Sequence, residues 1–128
     1  MIKNKVKVIV LGGSGLIGKT LIKEFLDSDT KVLNLDLVNN LERNKNYFFE
    51  KFNMTNKNLE KKMNVIFRKF HIPKVFIDCS YINRAYFKNS SIKNLPKNSL
   101  DFILKNWLSS SVIISSYFLN KMLRHKIK

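Results

Sequence analysis

Cysteine is nearly absent from this 128-residue chain, and its scarcity excludes two kinds of site. With Cys79 alone, the chain can form neither an internal disulfide nor a cysteine-built zinc site. The two histidines, His71 and His125, share no metal-ligand spacing, so no metal site is predicted. A lone thiol is typical of proteins from the reducing cytoplasm, which is therefore the expected location.

Long hydrophobic runs are also missing. No apolar stretch approaches the roughly 18 residues that a membrane-spanning helix needs, so no membrane partner is predicted. The apolar run near the N-terminus, residues 6–11, is too short for a signal peptide, has no small-residue cleavage site and leads directly into a group of glycines. That arrangement is typical of the first strand of a sheet.

Acidic residues are few: 9 of them face 24 lysines and arginines, which leaves a net charge of +15. Clustered cations gain affinity for nucleic acids by releasing counterions from the phosphates. Lysine supplies 20 of the 24 cations, however, and they are spread over every segment without a dense block. An AT-rich coding sequence over-produces lysine, asparagine, isoleucine and phenylalanine, which explains the charge. A basic nucleic-acid-binding module is kept only as an alternative.

All four glycines of the chain lie in one short stretch, GGSGLIGKT, at residues 12–20. From Gly13 onward this stretch satisfies two nucleotide-binding patterns at once: the dinucleotide fingerprint G-x-G-x-x-G and the P-loop G-x-x-x-x-G-K-T. In both, missing side chains let backbone N–H groups approach phosphate, and the following helix presents its positive end to it. The stretch therefore predicts a nucleotide site of one of two kinds.

The rest of the chain alternates between strand and helix patterns. Runs rich in β-branched and aromatic residues predict four strands, at residues 6–11, 31–36, 47–52 and 74–79. Apolar residues at helical spacing predict helices from residue 16, over 53–70 and over 99–128, the last kinked near 109–111 and preceded by a loop at 80–98. This order predicts one α/β domain, residues 1–128, with a Rossmann-like parallel sheet of about four strands and helices on both faces. Ligands of such sheets bind beyond the carboxyl ends of the strands.

An acidic residue separates the two interpretations of the glycine stretch. A dinucleotide site needs a carboxylate at the tip of the second strand, about 20 residues after the glycines, to hold the ribose hydroxyls, and Asp36 closes the run KVLNLD there. A carboxylate at that position also repels a 2′-phosphate, which favours NAD over NADP. In the alternative, a P-loop kinase or NTPase, Lys19 would reach the phosphates, and Thr20 and Asp78 would hold magnesium. Asp36 favours the dinucleotide site.

Together these residues resemble the extended short-chain dehydrogenases/reductases and the nucleotide-sugar epimerases. Gly12, Gly15 and Gly18 have the G-x-x-G-x-x-G spacing typical of that family, and Asp36 matches its NAD-selecting acid. The stretch IDCSY at residues 77–81 resembles the segment beside the nicotinamide ribose, and its C-S-Y variant is similar to a bacterial branch linked to flagellin-glycan and nonulosonic-acid synthesis. The resemblance spans essentially the whole chain. It implies hydride transfer between NAD(H) and a carbonyl or alcohol, with a sugar among the candidate substrates.

The resemblance also implies a cofactor site. Its members are Gly12, Gly13, Ser14, Gly15, Leu16, Ile17 and Gly18 around the pyrophosphate, Asp36 at the adenosine ribose, Asn53 and Met54 beside adenine, and Cys79, Ser80 and Tyr81 at the nicotinamide ribose. Leu108 stands near the position where the family often has an asparagine that kinks the long helix.

No catalytic residue is predicted in the chain. The family's chemistry uses a serine, a tyrosine and a lysine four residues after the tyrosine, because the lysine lowers the pKa of the tyrosine. Tyr47 with Lys51 has that spacing but lies in a predicted strand, and Tyr117 with Lys121 comes too early in the chain. The resemblance therefore implies the cofactor-binding N-terminal half of such an enzyme, ending before the fifth strand. Its fourth strand would be an apolar edge, which a complementing C-terminal half or a second copy of the chain is expected to cover.

Overall fold

The computed structural model of the chain describes residues 5–41, 43–81 and 97–125. Their strands and helices are β1 Val8–Leu11, α1 Leu16–Asp27, β2 Val32–Asp36, β3 Tyr47–Lys51, α2 Leu59–Phe70 and β4 Val75–Asp78, so helices separate the strands except between β2 and β3. A last helical segment follows, in which α3 (Lys97–Phe102) and α4 (Ser109–Arg124) flank a π-helical turn, Ile103–Leu108. No helix in the described ranges is long and apolar enough to cross a membrane.

The four strands form one parallel sheet in the order β3-β2-β1-β4. Val8 of β1 lies opposite Val32 of β2 on one side and opposite Val75 of β4 on the other. β3 continues the sheet beyond β2, with Tyr47 opposite Val32. The predicted α/β class and the parallel Rossmann-like sheet are confirmed, and each strand is slightly shorter than the sequence pattern predicts.

Alternate residues of β1 face opposite sides of the sheet, and this gives the domain two cores. On one side, Val8 and Val10 pack with Ile22 of α1. The core on the other side is built by β1, α2 and α4, and it includes Ile9, Leu11, Met63, Phe70, Ile114 and Phe118. Full burial of such a side chain contributes about 1.5–3 kcal/mol, so these two cores hold the helices against both faces of the sheet, as predicted.

The second helix begins later than the predicted start at residue 53, because α2 starts at Leu59. Asn53 explains the delay: its side-chain oxygen accepts hydrogen bonds from the backbone N–H of Thr55 (3.0 Å) and from the Thr55 hydroxyl (2.8 Å). An asparagine used in this way closes a turn instead of continuing a helix. The turn leaves Asn53 and Met54 just beyond the carboxyl end of β3.

The last helix corrects two further predictions. It begins at Lys97, inside the predicted loop 80–98, while residues 82–96 of that loop and residues 126–128 of the predicted helix lie outside the described residues. The irregularity predicted near 109–111 lies earlier, as the π-helical turn Ile103–Leu108. Phe102 and Ser109 on either side keep helical backbone angles, so the helix runs on without a break. A π turn holds more residues than an α turn, and the 3.6-residue apolar pattern does not reveal it.

The strand β4 lies at one edge of the described sheet, with β1 as its neighbour. Its sequence is VFID, and Val75 is 41% exposed while Phe76 and Ile77 are half-buried. The apolar edge that the sequence predicts is therefore present among the described strands.

Candidate functional site

A cavity of about 630 Å³ lies beyond the carboxyl ends of the strands. This volume is within the range of small-molecule sites in proteins. Most of the predicted cofactor-site residues line it, namely Gly12, Ser14, Gly15, Asp36, Asn53, Met54, Cys79, Ser80 and Tyr81. The others, Gly13, Leu16, Ile17 and Gly18, do not line it, and the Leu16 and Ile17 side chains are 85% and 69% exposed. The predicted residues of four separate chain segments thus meet at one cavity.

The first glycine of the loop allows two segments to cross closely. Gly12 has a φ of 74°, which residues with a side chain rarely adopt. A Cβ at Gly12 would lie 2.6 Å from the Cα of Ser80, so a side chain there would collide with the backbone that follows β4. The backbone N–H of Gly12 donates to the Leu35 carbonyl at 2.8 Å, which ties the loop to β2. Gly12 therefore joins the carboxyl ends of β1, β2 and β4.

The last glycine of the loop brings α1 against that crossing. A Cβ at Gly18 would lie 2.4 Å from the Gly12 carbonyl oxygen and 2.6 Å from the Gly13 Cα. Gly18 thus lets the helix lie directly on the loop, which is the role of the third glycine in a dinucleotide fingerprint. Because this contact is made by backbone atoms, Gly18 supports the site without lining it.

The middle glycine, Gly15, has open space beside it. A Cβ there would be 3.4 Å from the Gly12 carbonyl oxygen, an ordinary van der Waals distance, and no other atom would be close. Gly15 is also the N-cap of α1 and lines the cavity. The first turn of α1 contains no acidic residue, so the positive end of the helix faces the cavity without a neutralising carboxylate from that turn. This end of the cavity is suited to a phosphate group.

The carboxylate of Asp36 lies next to the glycine loop. One of its oxygens accepts a hydrogen bond from the Ser14 N–H at 2.8 Å, and the other accepts from the Leu37 N–H at 2.7 Å. A carboxylate has about four lone-pair positions, so it can still accept from hydroxyl groups in the cavity. The Asp36 carboxylate thus offers an acceptor for a diol. It lies on the cavity wall beside the glycine loop, next to the end that is suited to a phosphate.

The segment after β4 is held from the side of the last helix. Asp78 accepts hydrogen bonds from the Ser80 N–H (2.8 Å), from the Ser80 hydroxyl (2.5 Å) and from the Ser111 hydroxyl of α4. The Trp107 indole N–H donates to the Ser80 carbonyl at 2.9 Å, and its ring meets the Tyr81 ring edge-on at a centroid distance of 5.7 Å. Burial, followed by the charge of Asp78, raises the pKa of the Cys79 thiol, so this group stays protonated at neutral pH.

Sequence reasoning missed the part of the cavity wall that the last helix provides. Phe102, Asn106 and Trp107 line the cavity from the end of α3 and from the π-helical turn. Leu108, near which the resemblance places the family's helix-kinking asparagine, ends the π-helical turn, and Asn106 within that turn donates to the Phe102 carbonyl at 3.1 Å. A π turn changes which side chains of a helix face the sheet, so the apolar spacing did not predict that Asn106 and Trp107 line the cavity.

The residues of the P-loop alternative do not converge. Gly18 lies inside α1, and the exposed Lys19 and Thr20 do not line the cavity. The Thr20 hydroxyl donates to the Leu16 carbonyl at 3.1 Å, and Asp78 is engaged by Ser80 and Ser111. Within the described parts of the chain, no group of three or more His, Cys, Asp or Glu side chains is placed to hold a metal ion. The geometry favours a dinucleotide over a magnesium-bound triphosphate.

Neither Y-x-x-x-K pair faces the cavity. The Tyr117 hydroxyl donates to the side-chain oxygen of Asn64, and its ring stacks on Phe67 of α2, so Tyr117 is part of the packing between α2 and α4. Tyr47 lies at the start of β3, where its hydroxyl accepts a hydrogen bond from the Asn34 amide and donates one to the Asn39 side-chain oxygen.

A scan against protein-family models finds no match, and a search of curated proteins finds no matching sequence. Solved structures do match. A short-chain dehydrogenase from Leptospira borgpetersenii with bound NAD+ superposes with a TM-score of 0.76 at 19% identity, over 93% of this chain and 46% of that one. The ligand-free aldohexose dehydrogenase of Thermoplasma acidophilum gives a TM-score of 0.73 at 21% identity, over 94% of this chain and 46% of that one.

The epimerases match over a similar span of this chain. UDP-glucose 4-epimerase from Thermotoga maritima, with UDP-glucose, superposes with a TM-score of 0.61 at 18% identity, over 94% of this chain and 35% of that one. The chain spans about half the length, or less, of these solved proteins. By its fold, this chain is a Rossmann domain of the kind found in short-chain dehydrogenases and epimerases.

Proposed function

We propose that the chain binds NAD(H) and is the cofactor-binding part of an oxidoreductase similar to the short-chain dehydrogenases. The observation that carries this proposal is the meeting of Gly15, Asp36 and Ser80 around one cavity. The start of α1 matches the pyrophosphate of a dinucleotide and the Asp36 carboxylate matches its adenosine ribose. The loop after β4, which contains Ser80, matches its nicotinamide ribose. Two dehydrogenases among the matching solved structures, one with bound NAD+ and one complexed with NADH, support the same class of ligand.

Each part of the cavity has a role in this proposal. The backbone from Gly12 to Gly18 and the start of α1 would hold the pyrophosphate, which explains why Leu16 and Ile17 can contribute through N–H groups while their side chains are exposed. Asn53 and Met54 would flank the adenine. The segment 79–81 would contact the nicotinamide ribose. The cofactor supplies the hydride, whereas the protein binds and orients it.

Selectivity for NAD over NADP is expected to depend on Asp36. In Asp36→Asn the amide oxygen can still accept the Ser14 N–H, but the NH2 group replaces the oxygen that accepts from the Leu37 N–H, and the charge that repels a 2′-phosphate is removed. Charge-assisted hydrogen bonds are worth about 1.5–3 kcal/mol, so NADH affinity should fall by about 10- to 100-fold while NADPH affinity rises. Calorimetric titration of both cofactors measures the change. The matched control is Asp27→Asn at the exposed end of α1, which should leave both affinities unchanged. An unchanged preference in Asp36→Asn would contradict the assignment.

The reaction of the complete enzyme would be hydride transfer between NAD(H) and a carbonyl or alcohol, with a sugar as the substrate class that we favour. Two of the matching solved proteins are named for sugars, an aldohexose dehydrogenase and a UDP-glucose epimerase. Since neither Tyr47 nor Tyr117 faces the cavity, we propose that the catalytic serine, tyrosine and lysine come from a complementing C-terminal half. The cytoplasm is the proposed location, because Cys79 is the single cysteine.

The edge strand β4 is the proposed contact for that half. β4 is an edge strand of the sheet that the described residues form, and its sequence VFID is mostly apolar; an edge strand of this kind is a template for strand pairing. Without a partner, copies of the chain are expected to associate through this edge in a concentration-dependent way. Val75→Lys should reduce the association, since a lysine on an edge strand opposes pairing. Sedimentation velocity over a concentration series measures it.

The control for the edge experiment is Val65→Lys. Val65 is 57% exposed on α2 and lies beside Glu50 and Lys51 of β3, the strand at the other end of the sheet, so the substitution adds the same charge away from β4. Association that persists equally in both variants, or a wild-type chain that stays monomeric at every concentration, would contradict the role of β4.

A further inference from the structure

A polar side chain, Asn34, is completely buried in the middle of β2. Its neighbours across the sheet are Val10 and Phe49. Burying an amide costs free energy unless it is hydrogen-bonded, so an asparagine at a position suited to an aliphatic residue needs specific partners. Those partners identify what Asn34 does.

The Asn34 amide donates two hydrogen bonds in different directions. Its nitrogen lies 3.0 Å from the Ser14 hydroxyl oxygen and 3.0 Å from the Tyr47 hydroxyl oxygen. Each of these hydroxyls in turn donates its single proton to the loop after β2: Ser14 to the Val38 carbonyl at 2.5 Å and Tyr47 to the Asn39 side-chain oxygen at 2.8 Å. Because both protons are committed, both hydroxyls can only accept from Asn34. The direction of the whole chain of bonds is therefore set.

The other end of the Asn34 amide agrees with this direction. Its oxygen is buried without a hydrogen-bond partner and faces Gly13, where a Cβ would lie 2.4 Å from it. Leaving this oxygen unpaired costs free energy, but the reverse orientation would place it against the Ser14 and Tyr47 hydroxyl oxygens, whose protons are already donated to the loop. Gly13, which does not line the cavity, gives Asn34 the space it needs.

These bonds hold the segment that carries Asp36. Ser14 contributes its N–H to Asp36 at 2.8 Å, and its carbonyl accepts from the Asn40 side chain at 2.9 Å. Ser14 thus joins the glycine loop to residues 36–40, and Asn34 joins Ser14 to Tyr47 beneath them. Leu37 and Val38 in this segment line the cavity beside Asp36.

We propose that Asn34 is a positioning residue for cofactor selectivity: through Ser14 and Tyr47 it fixes the loop 37–40, which keeps the Asp36 carboxylate aimed at the adenosine ribose. This inference rests on the proposed binding of NAD(H). Asn34 does not line the cavity, so its effect on the cofactor passes through Asp36 and the loop.

Two substitutions test the proposal. Asn34→Leu replaces the amide by an apolar side chain of similar size and removes both donated bonds, while Tyr47→Phe removes the bonds of one hydroxyl and keeps the ring. In Asn34→Leu, NADH affinity should fall by about tenfold with little change for NADPH, the size expected for the loss of an ordinary hydrogen-bonded support. Tyr47→Phe should show a smaller change in the same direction. Cofactor affinities are measured by fluorescence titration of NADH and NADPH.

A second measurement needs no cofactor. In the free protein, hydrogen exchange of the backbone amides at residues 37–41 should be faster in Asn34→Leu and in Tyr47→Phe than in the wild type. The control is Asn46→Ala, which removes another buried asparagine that donates to Asp29 at 2.7 Å before β3. It should lower stability without changing the NADH-to-NADPH affinity ratio or exchange at 37–41.

The outcomes separate this inference from the proposed function. A lower affinity ratio and faster exchange in both variants, but not in Asn46→Ala, support the positioning role. An unchanged ratio in Asn34→Leu, with NADH still bound, overturns it and leaves the proposed function standing. If the wild type binds neither cofactor, the proposed function fails, and the selectivity role of Asn34 fails with it. Hydrogen exchange at residues 37–41 that is unchanged in Asn34→Leu and Tyr47→Phe would overturn the structural support that Asn34 gives to the loop.

Discussion

Gly18→Ala is expected to destabilise the domain by about 3 kcal/mol, although alanine is the better helix former. At an exposed helical position the same change would stabilise by about 1 kcal/mol. Here the new methyl group would lie 2.4 Å from the Gly12 carbonyl oxygen and 2.6 Å from the Gly13 Cα, so backbone must move. Overpacking of this kind costs about 1–3 kcal/mol and occasionally more, and α1 cannot shift without disturbing its contacts with β1.

Urea denaturation followed by circular dichroism measures the stability of Gly18→Ala. Thr20→Ala, two residues further along α1 on an exposed position, is the matched control and should change stability by less than about 1 kcal/mol. A Gly18→Ala protein as stable as the wild type would contradict the close packing of α1 on the glycine loop.

Gly15→Ala is expected to have the opposite profile: stability within about 1 kcal/mol of the wild type, and NADH affinity lowered by about 10- to 100-fold. The backbone at Gly15 has φ −73° and ψ 173°, which any residue adopts, and a Cβ would meet nothing closer than 3.4 Å. The fold therefore tolerates the methyl group. It would stand at the start of α1 beside the cavity, where the proposed pyrophosphate must approach the backbone.

Gly18→Ala should lose stability, whereas Gly15→Ala should keep its stability and lose NADH affinity. A binding loss in Gly15→Ala can therefore be attributed to the site and not to unfolding. Binding is measured by NADH fluorescence and stability by thermal melting on the same preparations. Lys19→Ala should bind NADH as the wild type does, because Lys19 does not line the cavity. Undiminished NADH binding by a folded Gly15→Ala protein would place the phosphates elsewhere.

Local patterns predicted the parts of the fold and of the candidate site that depend on neighbouring residues. The apolar run of β1 predicts a strand, and the glycines after it predict a tight turn and the start of a helix. Each of these features depends on residues within one short stretch of the chain. Asp36 could be placed because a parallel strand brings its carboxyl end to the same edge as β1. Predicting the strand, the glycine turn and the position of Asp36 requires only the order of the strands and helices along the chain, and no knowledge of how they pack.

Contacts between distant segments were not predictable in the same way. Trp107 and Asn106 line the cavity from a π turn, and an apolar period of 3.6 residues does not predict which side chains such a turn places there. The bonds from Asn34 to Ser14 and Tyr47 depend on the register of β2 and on how close α1 lies to the sheet. The sequence shows an asparagine in a strand, but only the assembled sheet shows that it is buried.

Calorimetric titration of the purified chain with NADH, NADPH and Mg-ATP, side by side, tests the central claim most directly. We expect saturable binding of NADH and weaker binding of NADPH, with both unaffected by Lys19→Ala. Binding of Mg-ATP alone, abolished by Lys19→Ala, would contradict the account and make the stretch GGSGLIGKT a P-loop.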